Sequence, residues 1–153
     1  MAVLNHLLVP TDFGEPAERA LDLALTIAPK FGSKLTLLHV HFVALPPYGH
    51  GLYWPVAELE IEARKALDAA LARSKERYTN VEGDLALGDP VHQILATAEK
   101  RGADMIIMGT HGRRGLLRVL LGSVAEKVVR LSPLPVVTVP AEELHSPEGT
   151  RPA

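Results

Sequence analysis

Residues 104–125 read DMIIMGTHGRRGLLRVLLGSVA, and the order of features in this stretch decides the fold. Asp104 to Gly109 is a short apolar run ending in glycine, the pattern of a strand buried on both faces of a parallel sheet. A glycine-containing loop follows, and Ser123 to Leu131 then has the apolar spacing of a helix. Gly112 and Gly115 allow the loop to present backbone N–H groups in a concave turn, a shape that attracts phosphate. Gly122 and Ser123 stand where the helix begins, so N–H groups, the positive end of the helix dipole and a hydroxyl can converge on an anion. Arg113, Arg114 and Arg118 lie between Gly109 and Ala125, with no acid among them. In a chain with 16 Lys and Arg, 18 Asp and Glu and a formal charge of -2, this is a local excess of positive charge.

The rest of the chain repeats the alternation of strand and helix. Val3 to Val9 reads as a buried strand. Pro16 opens a helix whose apolar face (Ala17, Ala20, Leu21, Ala24, Leu25, Ala28) ends near Phe31 and Gly32, with Pro29 expected to fray the last turn. Lys34 to Val40 is a second strand, extending towards Val43. Ala44 to Pro55, with its prolines, glycines, Tyr48, Tyr53 and Trp54, is an irregular loop whose aromatic residues are expected to fold back on the body. Glu58 to Tyr78 is a long surface helix, and Val81 to Leu87 a third strand. Asp89 caps a helix that runs from Pro90 to Lys100, and Pro135 to Val139 is the last strand. By the crossover rules this order makes an α/β domain, a mainly parallel sheet with helices on both faces. Residues 1–141 form the expected single domain. Residues 142–153 read as a disordered tail.

Composition narrows the function. The chain has no cysteine, which excludes disulfide scaffolds, cysteine-ligated zinc and thiol nucleophiles and fits a reducing cytoplasm. The balanced charge does not recommend nucleic acid or a membrane surface as a partner, and no apolar run reaches the roughly 18 residues of a membrane span. A Walker loop and a G-x-G-x-x-G turn after a strand are both absent, which argues against a P-loop ATPase or a nicotinamide-dependent dehydrogenase. His39 and His41 share one face of the second strand. With His50 or His111 they could suggest a metal, but no recognisable ligand spacing completes the set, and His39 is expected to be a packed strand residue.

In an open parallel sheet, ligands bind beyond the carboxyl ends of the strands, here PTDFG, HVHF and GTHGRRG. Gly109, Gly112, Gly122 and Ser123 fit the spacing G-x2-G-x9-G-[ST]. With the early PTDF and the LLHV strand, the chain resembles the universal stress protein family over residues 3–140, specifically its ATP-binding branch. The resemblance implies a five-stranded, doubly wound, Rossmann-like domain, a homodimer through Pro135 to Val139, and ATP, with Mg2+, held with its triphosphate on the glycine loop. It further implies that Pro10, Thr11 and Asp12 line the adenosine end, that Val40 flanks the adenine, and that Met108 and Val124 close the pocket. By the same implication Gly109, Gly112, Arg113, Gly122 and Ser123 are expected to take the phosphates. The family often has Ser where this chain has Gly14, so a polar contact there is missing. Asp12 reads equally as a cap for its own loop. The expected role is that of a nucleotide-dependent switch or partner-binding module. The alternatives are a slow ATP hydrolase, with Asp12 and His111 as the candidate groups, and a dimer whose site stays empty.

Overall fold

The computed structural model describes residues 3–42, 56–110 and 121–141. Five strands, β1 (His6–Pro10), β2 (Lys34–His41), β3 (Val81–Leu87), β4 (Met105–Gly109) and β5 (Val136–Val139), form one sheet in the order β3-β2-β1-β4-β5. Every pairing is parallel. The helices are α1 (Glu15–Phe31), α2 (Val56–Arg77), α3 (Pro90–Arg101) and α4 (Ser123–Leu131).

Side chains alternate across the sheet with period two, and this sorts the core into two layers. Leu7, Val9, Leu35, Leu37 and Ile107 face α1 and α2, meeting Ala20, Ala24 and Leu67. Leu8, Leu38, Ile106 and Met108 face α3 and α4, meeting Ile94, Ala98, Ala125 and Val128. Two buried faces explain why β1, β2 and β4 read as continuous apolar runs. The chain winds one way from β1 to β2 and β3 and the other way to β4 and β5, so the strand order reverses between β1 and β4. At such a switch point the helices diverge and leave a crevice beyond the strand ends.

Two local expectations are corrected. The first strand begins at His6, not Val3: the Asn5 and His6 N–H groups both donate to the Asp104 carboxylate, at 2.8 and 2.9 Å, and Val3 is exposed. Pro29 does not fray α1. The helix runs on to Phe31, and Gly32, at φ 66°, turns the chain so that its own N–H and that of Ser33 both close on the Ala28 carbonyl. These end bonds compensate for the donor that proline lacks. The loop 44–55 and the tail 142–153 lie outside the described residues.

A candidate nucleotide site at the strand switch point

The turn after β1 is pinned by its own side chains. The Thr11 N–H donates to the Leu38 carbonyl at 2.8 Å, and the Thr11 hydroxyl accepts from the Phe13 N–H at 3.0 Å. The Asp12 carboxylate accepts from the Gly14 N–H at 2.8 Å, so the loop-capping role read from the sequence is present. These bonds hold Phe13 at φ 63°, a conformation uncommon for a residue with a side chain. Its ring lies against His39, centroids 4.6 Å apart, and His39 Nδ1 donates to the Thr11 carbonyl at 2.8 Å. His39 is thus a packed strand residue that fixes the turn. Gly14 matters sterically, because a Cβ there would lie 3.0 Å from Asp12 Oδ1.

A cavity of about 260 Å³ opens beside this turn, beyond the carboxyl ends of β1, β2 and β4. Its floor is the α3/α4 face of the sheet, with Pro10, Leu38, Val40 and Met108; its walls are Pro16 and Ala17 of α1, Pro90 and Ile94 of α3, and Val124 and Ala125 of α4. The first turns of three helices therefore border one apolar slot, with Thr11, Asp12 and Thr110 adding polar atoms. In α4 the first intrahelical bond runs from the Glu126 N–H to the Gly122 carbonyl. The N–H groups of Ser123, Val124 and Ala125 thus precede the ladder, as in any helix start, and favour negative charge nearby.

Of the residues singled out from sequence, Pro10, Thr11, Asp12, Val40, Met108, Gly109 and Val124 line this cavity together. Gly122 is the N-cap of α4 and Ser123 its first residue, next to the lining but not in it. Gly112 and Arg113 lie outside the described residues, as do His50, His111, Arg114 and Arg118. Gly109 has a cause the sequence reading did not supply. A Cβ on it would run into the Pro16 carbonyl carbon and come within 2.6 Å of the Ala17 nitrogen, so α1 itself requires a glycine there. The sequence reading also missed the contribution of α3. Asp89 caps that helix through the His92 N–H at 2.9 Å. This N-cap just past β3 was the signal that the Pro90 end would border the crevice.

Among the described residues no cluster of three His, Asp or Glu side chains is placed to hold a metal ion. Displaced pKa values fall at the opposite end of the sheet. Burial raises Glu82, but hydrogen bonds from Lys34 and Thr36 and the charges of Lys34 and Arg101 outweigh it and leave the carboxyl below its ordinary value. Arg101 is raised by its hydrogen bond and charge pairing with Asp84. This network ties β2, β3 and α3 together, far along the strands from the cavity. Among the described residues, no helix is long and apolar enough to cross a membrane.

Comparison with known proteins places this geometry. The model of the universal stress protein family matches residues 4–140. A universal stress protein of Methanocaldococcus jannaschii is 34% identical over 141 residues, covering 88% of this chain and 81% of its own. The solved structure of the universal stress protein UspA from Lactobacillus plantarum superposes with a TM-score of 0.76 at 29% identity, over 91% of this chain and 99% of that one. The structure of the universal stress protein from Archaeoglobus fulgidus in complex with dAMP gives a TM-score of 0.65 at 25% identity, over 91% and 99% of the two chains. With the family model matching nearly its whole length and a relative 34% identical over 88% of it, the chain belongs to the universal stress protein family.

Proposed function

We propose that the chain is an adenine-nucleotide-binding module of the stress response, taking ATP with Mg2+ and acting as a nucleotide-dependent switch or partner-binding protein. The observation that carries this reading is the cavity itself, an apolar slot at the strand switch point bordered by three helix starts. A planar base needs two apolar faces, and Val40 and Met108 on the floor with Ile94 and Val124 on the walls supply them. The phosphates need donors and positive potential, and the start of α4 offers N–H groups and the positive end of its dipole. Asp12, on the pinned turn at the cavity mouth, is exposed and offers a carboxylate to a sugar hydroxyl. The dAMP complex of the Archaeoglobus relative supports the choice of an adenine nucleotide. The test is direct: protein purified without added ligand is heated, and the released small molecules are separated and identified. An adenine nucleotide approaching one per chain is the expected result. Released material without nucleotide, together with no binding of added ATP in calorimetry, would sink the reading.

The same proposal includes a homodimer through β5, the edge strand beside β4. Pro135 and Val139 accept backbone bonds from Ile106 of β4 and from Thr110 just after it, so in parallel register the backbone groups of odd-numbered β5 residues point towards β4 and those of Val136 and Thr138 point outward. The outward N–H of Thr138 is therefore a donor that a partner strand would use. Thr138→Pro removes it while sparing the β4 pairing, and sedimentation should show a shift from dimer to monomer. A dimer of undiminished stability would place the interface elsewhere.

A further inference from the structure

Six polar residues of the described chain are buried, and five of them have their side chains hydrogen-bonded. His6 bonds the Arg101 carbonyl and the Thr36 hydroxyl, Thr11 accepts from Phe13, Ser33 donates to Leu4 and Ser74 to Ala70. Thr110 is the exception. It is 2% exposed, and its Oγ1 is buried with no hydrogen-bond partner among the described residues. Its backbone is anchored, since its N–H donates to the Val139 carbonyl at 3.0 Å. An orphaned hydroxyl costs stability, and use by a ligand is one reason for a fold to keep it.

Its position says what that use is. Ile106 and Met108 face the α3/α4 layer, so the period of the strand puts Thr110 on the same face one pleat further on, where it lines the cavity beside Val124 and Ala125 in the first turn of α4. The floor is apolar where a base would lie, and Thr110 is the polar step at its α4 end. Rotation about χ1 exchanges hydroxyl and methyl without changing the volume, and no hydrogen bond holds the present rotamer. We propose that the Thr110 hydroxyl donates to a phosphoryl oxygen of the bound nucleotide and so makes this site prefer nucleotides to the bare nucleoside. The inference rests on the nucleotide reading of the cavity. An anionic oxygen is the stronger acceptor for a lone hydroxyl, and the N–H groups at the start of α4 favour the same charge at the same place.

The test compares wild type with Thr110→Val, which keeps the shape and loses the hydroxyl, and with Thr110→Ser, which restores it. Calorimetric titrations use AMP and adenosine as probes, and thermal melts are recorded without ligand. The valine variant should melt at or above the wild-type temperature when unliganded, since no bond is lost. Its affinity for AMP should fall about tenfold while that for adenosine changes less than about twofold, and serine should recover most of the AMP affinity. Undiminished AMP binding in the valine variant, an equal loss for adenosine, or a lower melting temperature without ligand would each overturn the assignment. Wild-type protein that binds neither AMP nor ATP would overturn the nucleotide reading and this inference with it. That failure is read on the wild type alone, so the two are distinguishable.

Discussion

Gly109→Ala is expected to destabilise the protein by about 3 kcal/mol, lowering the melting temperature by roughly 6 to 12 °C for a domain of this size. The added methyl would stand 2.6 Å from the Ala17 nitrogen and the Pro16 oxygen and overlap the Pro16 carbonyl carbon. All three are backbone atoms at the start of α1, so no side-chain rotation relieves the contact. Either α1 lifts from β4 or β4 moves within a sheet where Ile107 and Met108 are already buried. Overpacking usually costs about 1–3 kcal/mol, and backbone against backbone belongs at the upper end of that range. Chemical denaturation measures the loss directly. A cost below about 1 kcal/mol would show that the helix has room to give.

Pro16 and Ala17 line the cavity together with Gly109, so displacing α1 deforms the cavity wall. Loss of nucleotide binding in a Gly109 variant would therefore say little about ligand contact. The first glycine of the pattern serves chain packing, whatever the ligand does.

Much of the fold was legible because local and global preferences agree. β3, α3 and α4 start and end within a residue of the bounds read from sequence, each marked by a capping residue or a turn glycine. The parallel sheet followed from alternation alone. Where the reading slipped, a distant residue had intervened: Asp104 takes the N–H groups that would have lengthened β1, and Ala28 closes the helix end that Pro29 was expected to open. In the site, residues at the ends of β1, β2 and β4 were legible because the switch-point rule names those strand ends. Leu38 and Ile94 were not, since nothing in an apolar periodicity separates a side chain that fills the core from one that also borders a cavity. Thr110 was passed over between two glycines. Its hydroxyl matters because it lacks a partner, and that is knowable only once the surroundings are in place.

The wild-type protein in ATP at about a hundred times the dissociation constant should gain roughly 2.7 kcal/mol of stability, a rise of roughly 5 to 10 °C in melting temperature, and AMP should give less. Gly122→Val should abolish the ATP-dependent rise while leaving a folded protein. Gly122 has φ -57° and ψ 158°, an extended conformation open to any residue, so valine brings no backbone strain. It makes no side-chain cap, and the unliganded cost should stay within about 1 kcal/mol. What valine does change is the approach to the start of α4, where a branched side chain would stand in front of the N–H groups of Ser123 and Val124. Gly109 and Gly122 thus separate two demands that a spacing pattern merges. One variant should lose stability with or without ligand, and the other should lose only what the ligand adds. An ATP shift of full size in well-folded Gly122→Val would mean that the phosphates do not lie at α4, and no shift in wild type would leave the cavity without a nucleotide role.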